Sequence, residues 1–69
     1  MMNLIIEIEQ EEDGRWIAEI PEIPGAMTYG QTSQQAVISV KSLALRILAD
    51  RLEHGESIPE MEQVFLIAA

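Results

Sequence analysis

The chain has 69 residues, with 12 acidic and 4 basic side chains for a net charge of -8, 48% hydrophobic residues and no cysteine. A single domain of this size buries only roughly 60% of the surface that its unfolded chain exposes. Without cysteine and with one histidine, disulfides and a structural metal are not available to secure it, so association with itself or a partner is expected.

The hydrophobic content lies well above that of a disordered chain. The acidic balance repels nucleic-acid phosphates and attracts basic proteins, so direct DNA or RNA binding is not expected. No run of about 18 apolar residues provides a membrane span. Nor does a basic segment lead into an apolar stretch with a small-residue cleavage site. A soluble, cytoplasmic domain with no membrane contact is the expectation.

Residues 2 to 10, "MNLIIEIEQ", alternate with Met2, Leu4, Ile6 and Ile8 on one face and Asn3, Ile5, Glu7 and Glu9 on the other. This is the period of a half-buried strand. "RWIAEI", residues 15 to 20, continues the pattern with Trp16, Ala18 and Ile20, and "EEDG" between them signals a hairpin. A turn of Asp13 and Gly14 alone would set Ile8 against Glu19 and mix the two faces. A three-residue loop of Glu12, Asp13 and Gly14, with glycine in the left-handed position, instead pairs Glu11 with Arg15, Gln10 with Trp16, Ile8 with Ala18 and Ile6 with Ile20. The apolar faces then coincide.

After the Pro/Gly-rich stretch "IPEIPG", "AMTYG" is a short third strand with Ala26 and Thr28 on one face and Met27 and Tyr29 on the other. The period then changes. Thr32 and Gln35 have the spacing of a capping box, and Gly55 is placed as a left-handed terminator, which predicts a helix of about 22 residues. At the α-helical rise this is roughly 33 Å long, more than any strand here. "ESIPE" is a connector, and "QVFLIAA" reads as a fourth strand, apolar on both faces. The expected fold is α+β, in the order β-β-β-α-β. A right-handed crossover would place the long helix on one face of a four-stranded mixed sheet of order 3-2-1-4.

These elements and residues resemble the HicB family of type II antitoxins, whose small domain has a partial ribonuclease H fold. The pattern covers nearly the whole chain: Gly14, Trp16, "A-E-x-P-x-x-P-G" from Ala18 to Gly25, "G-x-T" from Gly30 to Thr32, Ala36, and "G-x-x-I-P" from Gly55 to Pro59. Where the family often has cysteine after the Pro-Gly pair, this chain has Ala26, so a packing role survives and a thiol role does not. The resemblance implies a partner, a small basic HicA-type ribonuclease toxin with a double-stranded-RNA-binding-like fold, whose active site the antitoxin covers. Many family members carry a further DNA-binding segment; a single domain over residues 1–69 without one is expected here.

Glu7, Glu9 and Glu19 invite a comparison with the two-metal carboxylate clusters of ribonuclease H enzymes. With no aspartate on the first strand and no further carboxylate joining them, they read as solvated surface charge. No catalytic residue, metal site or cofactor is expected. His54, at the helix end, reads as a group interacting with the last carbonyls, and Trp16 as a packing residue.

Ala36, Val37, Val40, Ala44, Ile47 and Leu48 form the helix stripe expected to face the sheet, with small residues allowing close approach to Ala26 and Thr28. A second stripe, Ile38, Leu45, Ala49 and Leu52, lies on a neighbouring helix face and is the candidate surface for a homo-oligomer, a dimer or tetramer. On the opposite face of the sheet, Ile5, Ile17, Met27 and Tyr29 sit among Glu7, Glu9 and Glu19, as apolar anchors ringed by charge, and form the candidate surface for the basic partner. The alternative reading is a stand-alone homo-oligomeric scaffold or regulatory module with no toxin.

Overall fold

The computed structural model describes residues 3–62 and 64–68. Three strands, β1 (Glu7–Gln10), β2 (Trp16–Glu19) and β3 (Met27–Gly30), form an antiparallel meander in the order β1-β2-β3. One helix, α1 (Ser33–Glu53), lies across one face, and a single 3-10 turn (Pro59–Met61) follows it.

The first hairpin has the register that the coincidence of apolar faces demands. Ile8 opposes Ala18, Gln10 opposes Trp16 and Glu7 opposes Glu19. The Glu11 N–H donates to the Arg15 carbonyl at 2.7 Å, the Gly14 N–H donates to the Glu11 carbonyl at 2.9 Å, and Gly14 has φ +92°. A side chain rarely adopts that backbone conformation, so glycine allows the three-residue loop to close.

Between β2 and β3 the chain closes on itself through Ile20 N–H to the Ala26 carbonyl at 2.9 Å and Ala26 N–H to the Ile23 carbonyl at 3.0 Å. The result is a loop that inserts Ile23, 1% exposed, into the core. Sequence reading treated this stretch as a connection and missed Ile23. Its signal was an isoleucine held between Pro21 and Pro24.

The helix begins where expected. Thr32 is the N-cap, its hydroxyl accepting from the Gln35 N–H at 3.1 Å, while the Gln35 side chain accepts from the Gln31 N–H at 3.1 Å. It ends with Gly55 N–H donating to the Leu52 carbonyl and Glu56 N–H to the Arg51 carbonyl, the paired bonds of a Schellman motif. The helix has 21 residues. Ala36, Val40, Ala44 and Leu48 face the sheet fully buried, with Val37 and Ile47 half-buried beside them. The Thr28 hydroxyl donates to the Ala36 carbonyl at 3.0 Å, which ties β3 to the first turn of α1. Trp16 packs against the edge of the core.

Two expectations about the sheet are overturned. The fourth strand does not form among the described residues, so the sheet is purely antiparallel with three strands. It is not mixed with four in the order 3-2-1-4, and there is no crossover. Residues 64–68 carry no regular structure and lie exposed; residues 63 and 69 of the expected strand fall outside the described residues. Ile58 takes a core position and Pro59 starts a 3-10 turn that redirects the chain at the end of α1. A run apolar on both faces has strand propensity but specifies no pairing partner. Second, every residue of β1 is exposed, including Ile8, expected on the buried face. The cause is the seat of α1, which packs against β3 and β2 and least against β1.

Candidate functional site

The face of the sheet away from α1 carries six of the seven residues expected there, in two cross-strand rows. Glu7, Glu19 and Met27 form one row, and Glu9, Ile17 and Tyr29 the other. Ile5 lies just ahead of β1, 61% exposed, with its N–H donating to the Glu22 carboxylate at 3.3 Å. Met27 and Tyr29 are each nearly half exposed, and Ile17, in the central strand between them, is half-buried.

Glu7 and Glu19 are directly opposed. Like charges in that arrangement repel across a sheet. Among the described residues the close acid–base contacts are Arg15 with Asp13 and His54 with Asp50, so Glu7, Glu9 and Glu19 have no basic partner. A face with opposed, uncompensated carboxylates beside apolar side chains is suited to take an ammonium or guanidinium group from another molecule.

Arg15 shares this face, two residues before Ile17, and was missed as part of the site. Its guanidinium stacks 4.5 Å from the centroid of the Tyr29 ring, and its Nε donates to the Asp13 carboxylate at 2.7 Å. The Arg15 backbone N–H donates to the other Asp13 oxygen at 3.0 Å. That backbone bond, with the guanidinium beside it, holds the Asp13 carboxyl below the ordinary aspartate range. The face is therefore polarised, with a cation over Tyr29 at the hairpin end and free carboxylates at the Glu7 and Glu19 end. The signal was strand parity, which places residues 15, 17 and 19 together.

On α1, Ile38, Leu45 and Leu52 are 67%, 64% and 58% exposed, with Ala49 exposed between them. They do not touch the open sheet face; Ile38 and Leu45 border hollows on the β1 side of the helix. His54 is the C-cap of α1, and its Nδ1 lies 2.7 Å from the Asp50 carbonyl, which can only accept, so this nitrogen carries the proton. Among the described residues no three His, Asp or Glu side chains converge closely enough to hold a metal ion. Nor is any described helix long and apolar enough to cross a membrane.

Two curated relatives match the chain over most of its length. The UPF0150 protein Ta0767 of Thermoplasma acidophilum is 31% identical over 58 residues, 84% of each chain. The UPF0150 protein ssl0738 of Synechocystis is 44% identical over 63 residues, 87% of this chain and 88% of the relative. The chain belongs to the UPF0150 family. No protein-family model matches it, and no solved structure does. The matches to UPF0150 proteins extend well beyond the length of any one element described above, so the relationship concerns the domain rather than a single motif.

Proposed function

We propose that this UPF0150 protein is a HicB-like antitoxin that neutralises a basic, HicA-type RNA-cleaving toxin by protein–protein contact, with no chemistry of its own. The observation that carries the reading is the open sheet face, where exposed Met27 and Ile5 lie beside the opposed carboxylates of Glu7 and Glu19, with exposed Tyr29 in the adjoining row. Apolar anchors supply affinity, and the carboxylates together with the net charge of -8 steer a cationic partner. The sequence pattern resembling HicB domains supports it. Within the same proposal the chain self-associates through Ile38, Leu45, Ala49 and Leu52.

Co-purification from the native host tests the reading. A basic ribonuclease of about domain size, toxic when expressed alone and silenced by co-expression of this chain, is the expected companion. Glu7→Lys with Glu19→Lys should abolish both capture and silencing while the domain stays folded. Recovery of copies of this chain alone would reject the toxin in favour of the second reading, a self-associating scaffold or regulatory module, which the exposed helix stripe favours.

A further inference from the structure

The position of α1 leaves an apolar cleft on the β1 side of the helix. Its floor is β1 and the residues before it, where Leu4 and Ile6 are only half-buried and Ile8 is 47% exposed. Its wall is the helix, with Ile38 beside Ile8 at one end and Leu45 beside Leu4 and Ile6 at the other. Lys41 is the one charged residue lining the two hollows that make it up, and the carboxylates of Glu7, Glu9 and Glu19 adjoin it only at the Ile8 end. From Val37 to Leu48 the wall runs roughly 17 Å at the α-helical rise.

The chain also carries an apolar segment that is largely exposed. Phe65, Leu66 and Ile67 are 67%, 88% and 96% exposed, and residues 64–68 contain no charged side chain. In extended form five residues reach roughly 17 Å, the length of the cleft. Phe65 borders a small hollow with Leu52, Ile58 and Met61 at the end of α1, so the segment departs from the helix end. The chain's own cleft stands open, yet Leu66 and Ile67 do not enter it.

We infer that residues 64–68 of one copy lie in the cleft between α1 and β1 of a second copy, and that the exchange is reciprocal. This rests on the self-association proposed above and names the surface that completes it; it is independent of the toxin. Two chains each carrying a charge of -8 repel, so they meet best where carboxylates are fewest. That excludes the open sheet face, with Glu7, Glu9 and Glu19, and favours the cleft and the uncharged segment. Each copy offers one segment and one cleft, so the pair closes under two-fold symmetry. At on the order of 100 Å² per apolar side chain, two exchanged segments and their clefts cover about 1,500 Å², the size of a standard stable interface.

The absence of native cysteine makes the test direct. Leu45→Cys and Ile67→Cys are placed in separately tagged copies, mixed and oxidised. The expected product is a disulfide-linked pair containing one of each, several-fold more abundant than either same-variant pair. Ile67→Glu should halve the sedimentation mass with the circular dichroism of the fold retained. A wild-type dimer that gives no mixed cross-link overturns the inference while leaving self-association standing; a wild-type monomer at tens of micromolar removes both. A chain carrying both cysteines that closes on itself at monomer mass would place the segment in its own cleft, and would also overturn it.

Discussion

Gly30 closes β3 just ahead of the helix cap, and a Cβ there would meet the Ala36 nitrogen at 2.5 Å, a backbone atom that cannot step aside. Gly30→Ala must push α1 off the sheet, with an expected loss of about 1–3 kcal/mol read by urea unfolding. Asp13 offers a different residue-scale test. Its pKa is depressed in the fold from the ordinary 3.8, so the stability it contributes is present above that value and is lost as pH falls through the lower, folded one. A carbon-detected titration should give Asp13 a midpoint below 3.8, and in Asp13→Asn the hairpin amide shifts should lose that titration step. The Asp13 turn was legible from "EEDGR", because only one loop length makes the apolar faces meet. Arg15 over Tyr29 was not, because stacking joins residues of different strands.

Among the elements, α1 was the most legible, since its caps and periodicity are local chemistry. Thr32→Ala should cost about 1 kcal/mol, the usual loss when an N-cap oxygen is removed, visible as a lower urea midpoint at unchanged slope. The loop from Ile20 to Ala26 was the least legible. It has no period, and Ile23 gains its burial in a core cluster assembled from β2 with α1 and Ile58, which lie far away in sequence. Ile23→Ala should cost about 2–5 kcal/mol. For a chain this short the total stability is roughly 3–10 kcal/mol, so that variant is expected to be largely unfolded in thermal melts near physiological temperature. Residues 64–68 show the converse: an apolar run with strand character that forms no strand, because propensity specifies no pairing partner, even with the outer edge of β1 left open among the described residues.

At the scale of the whole molecule, the charge of -8 and the polarised sheet face set the electrostatic field around the domain. Association of the proposed basic partner should slow as salt rises, since charges separated by more than the Debye length of about 8 Å at physiological ionic strength are screened. Stopped-flow rates for wild type should fall with ionic strength, while those of the Glu7→Lys and Glu19→Lys double variant should be slow and nearly flat. A rate independent of salt in the wild type would remove electrostatic steering from the proposal. Met27→Ala should act on dissociation instead, because it removes an apolar anchor and leaves the charges in place.

The sequence by itself determined the hairpin register, the limits of α1 and which residues share the open sheet face. Each of these follows from a fixed backbone period, two residues in a strand and 3.6 in a helix, joined to cap and turn chemistry a few residues away. Only the tertiary structure decided what covers what. It seated α1 over β2 and β3, drew Ile23 inward, left Ile8 and the β1 side uncovered, and left residues 64–68 outside the sheet. Those outcomes depend on the fit of side chains from distant parts of the chain. Periodicity specifies which face of an element is apolar, and packing selects the surface that meets it.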